Sequence, residues 1–237
     1  MIARPVCVAA GVTLLFLTGC RTPPPSGTEA AAPSAVSAPQ SSTSGVLYSI
    51  DATASQVLVF VYREGAMSAL GHNHVISIRE LRGSVQLTEP LERSRFELRF
   101  PVASMTVDEP ALRAAAGEDF SSVVSDSARD GTRANMLGEK LLQAMGFPEI
   151  ALSSVRVESA ADGQVIALTR VSLRGAEYLV QVPMRLLRAA DQLSATGEIT
   201  LRQSELGLTP YSVLMGALRV RDAMQLRFRL VARRVTL

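Results

Sequence analysis

Apolar and polar residues alternate along much of the chain after residue 45. Residues 95–100 (RFELRF) place an apolar side chain at every second position, the pattern of a strand with one buried face. Leu226, Phe228 and Leu230 alternate with polar neighbours in the same way. Similar runs lie at residues 56–63, 75–87, 150–158, 165–173, 178–187 and 193–202. The pattern predicts about eight strands, the number found in a small closed barrel.

Glycine and proline mark irregularities within and between these strands. Gly83 indicates a bulge or bend, and Pro183 favours a sheet edge or a bulge because proline has no N–H for a ladder. Turn signals such as Asp162-Gly163 separate neighbouring runs.

One amphipathic helix is predicted among the strands. Its apolar positions have the i, i+4, i+7, i+8 spacing of a buried helix face: Leu137, Leu141, Ala144 and Met145. Thr132 is the expected N-cap, and Gly146 and Pro148 are expected to stop the helix. Residues 103–131 before it form a long polar connection with a short helix expected at 109–116. The predicted fold is all-β and mainly antiparallel, a barrel of about eight strands with one helical crossover.

The run at residues 56–62 (QVLVFVY) has apolar side chains on both faces. One interpretation is a strand covered on both sides in an ordinary filled core. The other is a barrel whose interior is an elongated apolar cavity, since about eight strands suffice to enclose one small ligand. The sequence period fits both.

The N-terminal residues predict export followed by lipidation. Residues 1–19 combine one positive charge with an apolar run too short to span a bilayer, as in a signal peptide. They lead into Cys20 through Leu17-Thr18-Gly19, which resembles the bacterial lipobox, and there the cysteine receives a diacylglyceryl group and a further acyl chain such as palmitate. Two or more chains anchor a protein stably to a membrane.

Residues 20–45 are rich in Pro, Ser and Ala and bury too little apolar surface to offset the entropy of ordering. They predict a disordered tether from the lipidated cysteine to a folded domain at residues 46–237. Arg21, rather than an aspartate, follows Cys20. We therefore expect a lipid-anchored protein on the periplasmic side of the cell envelope, at the outer membrane.

Composition and motifs exclude several classes of function. A formal net charge of +2 over 237 residues gives no reason to expect nucleic-acid binding. Cys7 belongs to the signal and Cys20 to the anchor, which leaves no disulfide and no thiol nucleophile. No nucleophile elbow or phosphate loop occurs, and Asp108 and Glu109 are expected to be solvated. We expect neither catalysis nor a cofactor.

Several segments resemble the bacterial YceI-like family, and the resemblance runs from about residue 48 to 232. They are residues 56–62, 134–137 (ANML), 147–150 (FPEI), 171–177 (VSLRGAE), 205–208 (ELGL) and 220–224 (VRDAM). The resemblance implies a lipocalin-like antiparallel barrel, exported to the periplasm, that holds a polyisoprenoid or a similar lipid. This chain departs from the family pattern at Gly71-His72-Asn73-His74, where the family has a glycine and an aromatic residue.

His72 and His74 are the only histidines. On a strand they would project to one face about 6.5 Å apart, where two imidazoles can bind a transition metal. A catalytic zinc site usually needs a third protein ligand, which would have to be one of Glu64, Asp108, Asp222, Met215 and Met224. Alternatively, the histidines lie at the barrel mouth and contact the headgroup of a bound lipid.

The sequence therefore predicts a lipid-anchored periplasmic protein that binds a polyisoprenoid, quinone or fatty-acyl lipid inside a barrel. The predicted ligand-binding residues are Phe60, His72, His74, Phe96, Phe100, Leu226 and Phe228. Two alternatives stay open: a metal-binding protein built on His72 and His74, and a structural envelope lipoprotein with a filled core. The expected partners are the lipid and, through the anchor, the membrane, and homodimer formation is left open.

Overall fold

A computed structural model describes residues 45–236. The predicted signal peptide, Cys20 and nearly all of the predicted tether lie outside this range. The strands and helices are β1 (Val46–Ile50), β2 (Gln56–Val61), β3 (Arg63–Glu64), β4 (His74–Ile78), β5 (Arg82–Leu87), β6 (Arg95–Pro101), β7 (Thr106–Val107), α1 (Pro110–Ala115), α2 (Asp126–Leu137), β8 (Glu149–Ser159), β9 (Gln164–Leu173), β10 (Ala176–Arg188), β11 (Gln192–Arg202), β12 (Ser212–Val213), β13 (Leu218–Val220) and β14 (Ala223–Arg234).

Eight strands close into a barrel in the order β1-β5-β6-β8-β9-β10-β11-β14, and β14 pairs back to β1. All of these pairings are antiparallel. This confirms the predicted fold class and the predicted number of strands in the ring. Because neighbouring residues of a strand point to opposite faces, each strand contributes alternate side chains to the interior.

Two different strands, β1 and β2, pair with the same edge of the long strand β14. Residues 232–234 pair with β1, whereas residues 225–229 pair with β2 on the same edge. β4 and β7 continue the sheet from β2. A second sheet of three short strands, β12-β13-β3, lies where β2 ends and β14 begins. The three short strands and the turns between them therefore all lie at that end of the barrel.

The predicted helix is displaced from its expected position. α2 spans residues 126–137, with the Ser125 hydroxyl accepting from the Ala128 N–H at 3.2 Å as its N-cap. Gly138 is extended and ends the helix. Leu141 and Ala144 still pack on the core, but from a turn after the helix, while Met145 is fully exposed. The expected start at Thr132 was wrong because Ser125 caps the helix, and Thr132 lies within it. The expected end at Gly146 was wrong because the i, i+4 spacing of apolar residues also arises in a compact turn segment.

Other strand predictions need smaller corrections. β1 was not predicted, and the single run at 75–87 is two strands, β4 and β5. Gly83 lies within β5 with a φ of 150°, and a Cβ there would stand 2.0 Å from the Glu97 carbonyl oxygen. Pro183 pairs with Ile166 of β9. The pairing of β10 with β11 begins only at Arg185, so the β11 side of β10 is unpaired at Pro183, as at a sheet edge.

Neither helix within residues 45–236 is long and apolar enough to cross a bilayer.

We predict that Gly83→Ala destabilises the fold by roughly 1–3 kcal/mol, because the added methyl group meets the backbone of β6 and the backbone angle is strained for other residues. Gly131→Ala is the matched control: it lies in α2 with open space around a Cβ, and should stabilise by about 0.5–1 kcal/mol. Urea denaturation of both variants measures the two changes. Equal effects of the two substitutions would contradict the close approach of β5 and β6.

Candidate functional site: an apolar cavity with a polar mouth

The barrel interior encloses a cavity of about 400 Å³. β2, which lies beside the ring, contributes Val57, Val59 and Val61 to its lining, and β4 and the ring strands β6, β8, β9, β10, β11 and β14 contribute alternate residues in the same way. Most of the lining is aliphatic, with three phenylalanines, Phe96, Phe100 and Phe228. A cavity of this size and composition is typical of a site for an apolar small molecule.

A smaller cavity of about 80 Å³ continues toward the opposite end of the barrel, near β1 and the start of β6. The two cavities share four lining residues, namely Phe96, Leu98, Met184 and Leu230. The smaller cavity is also lined mainly by apolar side chains. The apolar space is therefore elongated along the barrel rather than compact.

Polar groups are concentrated at one end of the large cavity. With the exception of Thr169, the polar lining residues lie where β2 and β11 end, in α2 above them, or in the segment around the three-stranded sheet. They are Arg63, His72, His74, Thr132, Asn135, Gln203, Tyr211 and Arg219. We call this end the polar mouth. The cavity is thus amphiphilic, with an apolar interior and one hydrogen-bonding end.

The Gly71–His74 segment is fixed at this mouth by its own backbone and by Asn73. The Arg63 guanidinium donates a hydrogen bond to the Gly71 carbonyl oxygen. The Asn73 side chain accepts from the Arg63 N–H at 3.0 Å and donates to the Asp119 carbonyl oxygen at 2.8 Å. His74 then opens β4 opposite Val61. The rings of His72 and His74 lie 6.2 Å apart, and both line the cavity.

His74 is held by a fully buried carboxylate. Its Nδ1 lies 2.6 Å from Oδ2 of Asp108, whose side chain is completely buried. The other oxygen, Oδ1, accepts from the Val75 N–H at 2.9 Å and from Arg113 Nη1 at 2.7 Å. The second ring nitrogen of His74 makes no hydrogen bond within residues 45–236, so it is left to the cavity.

Arg113 completes this network from α1. Besides Asp108, its guanidinium donates to the carbonyl oxygens of Asn73 at 2.6 Å and Ser122 at 2.9 Å. It is itself buried, with 7% of its surface exposed. One buried ion pair therefore ties the histidine segment to α1 and to the loop before α2.

Burial, hydrogen bonds and neighbouring charges at the mouth shift two pKa values. Burial opposes ionisation of Asp108, but the hydrogen bonds from His74, Val75 and Arg113 outweigh it and lower the pKa of this carboxyl. Desolvation, followed by repulsion from His74, Arg113 and Arg63, lowers the pKa of His72. His72 is therefore a neutral hydrogen-bonding group at neutral pH.

A metal site at the two histidines would need a third ligand, and residues 45–236 contain no group of three or more His, Cys, Asp or Glu side chains arranged to hold a metal. Of the candidate third ligands, Asp108 adjoins His74, but its oxygens are engaged with Val75, Arg113 and His74 itself. Glu64 pairs with Arg219, and Asp222 accepts from Ser204. Met215 is fully exposed, and Met224 lines the cavity.

Six of the seven predicted ligand-binding residues line the cavity: His72, His74, Phe96, Phe100, Leu226 and Phe228. Their contact with a ligand stays a prediction. The placement of Phe60 inside the barrel was wrong. Val59 and Val61 point inward, so Phe60 between them faces outward, where it packs against Phe120 with 5.5 Å between ring centroids.

Sequence reasoning missed the role of Asp108 and Arg113. Asp108 was expected to be solvated and is instead completely buried. The polar loop around it gave no sign that tertiary folding would place it against β4. The structure also gives Asp108 a φ of 53°, a conformation that aspartate adopts more readily than most residues, but the sequence alone does not show this angle.

Comparisons with known proteins agree with this architecture. A model of the YceI-like domain matches residues 48–232. The structure is similar to BcnA from Burkholderia cenocepacia, with a TM-score of 0.56 and 13% identity over 77% of this chain and 98% of that one. It is also similar to a polyisoprenoid binding domain from Saccharophagus degradans, with a TM-score of 0.55 and 13% identity over 80% and 99%. No curated protein matches the sequence.

We predict that Asp108→Asn destabilises the protein by about 3–5 kcal/mol, because it leaves Arg113 buried without a counter-charge. The folded-state pKa of Asp108 is lowered, so its stabilisation is present above its unfolded pKa of about 3.9 and is lost as pH falls through the folded value. Urea denaturation between pH 7 and pH 3 should therefore show the deficit of the variant shrinking at acid pH.

The control is Glu198→Gln, which breaks an exposed pair with Arg227 and should cost less than about 1 kcal/mol. A deficit for Asp108→Asn as small as that of the control, or one unchanged down to pH 3, would show that the buried pair does not hold the mouth.

Proposed function

This chain belongs to the YceI-like domain family, and we propose that its barrel binds one long apolar molecule with a polar headgroup. The observation that carries the proposal is the elongated, apolar cavity that ends in the polar mouth. The similar domain from Saccharophagus degradans, which its name describes as polyisoprenoid binding, supports a chain of that class.

The energetics favour a long chain over a short one. Each buried CH₂ group contributes about 0.8 kcal/mol, so five such groups give about 4 kcal/mol and ten give about 8 kcal/mol. Association itself costs an estimated 4 kcal/mol or more. A short chain would therefore scarcely offset the cost of binding. A polyisoprenoid, a quinone with its isoprenoid tail or a fatty-acyl lipid has the necessary length.

The polar mouth sets the orientation of such a ligand. An oxygen-bearing headgroup can accept a hydrogen bond from His72, and a headgroup hydroxyl can donate one to the free ring nitrogen of His74, whose other nitrogen donates to Asp108. Arg63 and Arg219 lie close by in the lining. The guanidinium groups of these two arginines make the mouth favourable for a phosphate or carboxylate. The tail then extends past Phe100 and Phe96 toward the smaller cavity.

We expect Val180→Trp to reduce the affinity for a fluorescent long-chain acyl or prenyl probe by at least about tenfold, because an indole at this lining position occupies the space of the ligand. Leu179→Trp is the matched control, since Leu179 is the adjacent residue of β10 and is 61% exposed on the outer face. Titration of the probe at equal protein concentration measures both affinities. Equal affinities in the two folded variants would refute the barrel interior as the binding site.

We further propose that Cys20 anchors the protein by lipid on the periplasmic side of the envelope, at the outer membrane. The support is the Leu17-Thr18-Gly19-Cys20 sequence after an apolar signal and the presence of Arg21 rather than aspartate. A tether of Pro, Ser and Ala then connects the anchor to the barrel.

Expression in a bacterial host with labelled palmitate tests the anchor. The native chain should incorporate label and fractionate with outer-membrane vesicles, whereas Cys20→Ser should incorporate none. A native chain that stays unlabelled and is recovered in the soluble periplasmic fraction would overturn this assignment.

A further inference from the structure

Four large apolar side chains are exposed together beside the polar mouth. Met67 and Leu70 are 40% and 65% exposed, Leu214 is 52% exposed and Met215 is fully exposed. Met67 caps a 3₁₀ turn after β3 and Leu70 ends it, while Leu214 and Met215 lie in a turn between β12 and β13. We call these four residues the apolar tip.

The two turns form one structural unit. The Met67 N–H donates to the Ala217 carbonyl oxygen at 2.8 Å, and β3 pairs with β13 below the turns. Gly65 approaches Ala217 so closely that a Cβ would stand 2.4 Å from its carbonyl oxygen. The four side chains therefore belong to neighbouring turns held against each other by backbone contacts.

The backbone of the second turn is strained in a way that exposes its apolar side chains. Leu214 and Met215 have φ values of 51° and 54°, in the left-handed region that non-glycine residues seldom adopt. Such conformations cost about 1–3 kcal/mol each and persist where the surrounding structure holds them, often at functional sites. Here the two residues in this strained conformation are the leucine and methionine whose side chains are exposed at the surface.

The apolar tip borders the entrance of the cavity. Gly71 directly follows the first turn and Val213 directly precedes the second, and both line the cavity together with His72 and Leu218. Leu218 also packs under Gly71, since a Cβ at Gly71 would lie 2.9 Å from its Cδ1. A surface that touched the tip would therefore also meet the polar mouth.

The segments that carry the tip are cationic. Residues 62–71 and 211–221 contain three arginines, Arg63, Arg219 and Arg221, against one acid, Glu64. Arg219 and Arg221 share the single carboxylate of Glu64, at 2.7 Å and 3.9 Å, which leaves one positive charge of this pair unbalanced by Glu64. Both side chains are half-exposed, and Arg221 lies over the Tyr62 ring at 5.4 Å. Apolar side chains at a tip with arginines behind them match the depth profile of a bilayer surface with anionic headgroups.

We propose that the apolar tip inserts into the surface of an anionic lipid bilayer and places the polar mouth against the headgroups. Long, flexible methionine and leucine side chains suit the acyl region, while the arginines lie at headgroup depth. This inference rests on the exposed side chains and their charges, so it does not depend on which molecule fills the cavity.

The test uses residues 20–237 with Cys20→Ser, so that no acyl chain contributes to binding. The chain contains no tryptophan, so Met215→Trp introduces a single probe at the tip. Leu187→Trp is the control, because Leu187 is 71% exposed on β10 at the opposite end of the barrel. Vesicles of phosphatidylglycerol and phosphatidylcholine, with and without brominated acyl chains, are the membranes.

With phosphatidylglycerol vesicles, the emission of Met215→Trp should shift to shorter wavelength and be quenched by the bromines, while Leu187→Trp should stay unchanged. Adding Leu70→Asp and Leu214→Asp should lower vesicle affinity at least about tenfold, since two leucine side chains no longer enter the acyl region of the bilayer. These variants should still bind the long-chain probe, which separates this proposal from the binding function of the barrel.

Three results would overturn the proposal. They are unchanged emission of Met215→Trp with both vesicle types, equal quenching at Leu187→Trp, and vesicle affinity unaffected by the two aspartates. A blue shift of Met215→Trp that depends on protein concentration without vesicles would instead assign the tip to contact between two copies of the chain.

Discussion

The structure depends on a ring of eight antiparallel strands whose inward side chains leave part of the barrel interior empty. Closing eight strands fixes the width of the barrel, and alternation assigns every second residue to its interior. The chain has no tryptophan, and of the six phenylalanines within residues 45–236 three line the cavity. Phe60 and Phe120 pack together outside the barrel instead. Valines and leucines therefore face one another across a space that they leave open, and this space gives the fold its capacity for a ligand.

Asp108 determines where the cavity becomes polar. A buried carboxylate is costly unless its hydrogen-bonding capacity is satisfied, and here Val75, Arg113 and His74 satisfy it together. The same contacts draw β4, α1 and the loop before α2 toward one point at the barrel end. His74 is oriented by this arrangement so that its other ring nitrogen remains for the cavity. The ion pair that stabilises the fold thus also fixes the polar mouth of the cavity, which lies beside the apolar tip.

The strands could be predicted from the sequence because their two-residue alternation is a local consequence of one buried face. Closure into a barrel followed from their number and from the resemblance to the YceI-like family. The inward parity of Gln56–Val61 could not be predicted, since both faces are apolar and only the cover by Phe120 distinguishes them. The Asp108 contacts were also out of reach, because they join residues 34 positions apart through tertiary folding. The helix was misplaced because Leu141 and Ala144 reach the core from a turn with helix-like spacing.

Mass spectrometry of an organic extract from the purified chain tests the central claim most directly. We predict one molecule per protein of a lipid with a long prenyl or acyl chain and an oxygen-bearing headgroup, which is displaced by an added lipid of the same class. The matching extract of Val180→Trp should contain much less of it, and that of Leu179→Trp the same amount. An extract without lipid, from a protein that also takes up none when long-chain phosphates, quinones and fatty acids are supplied, would contradict the account.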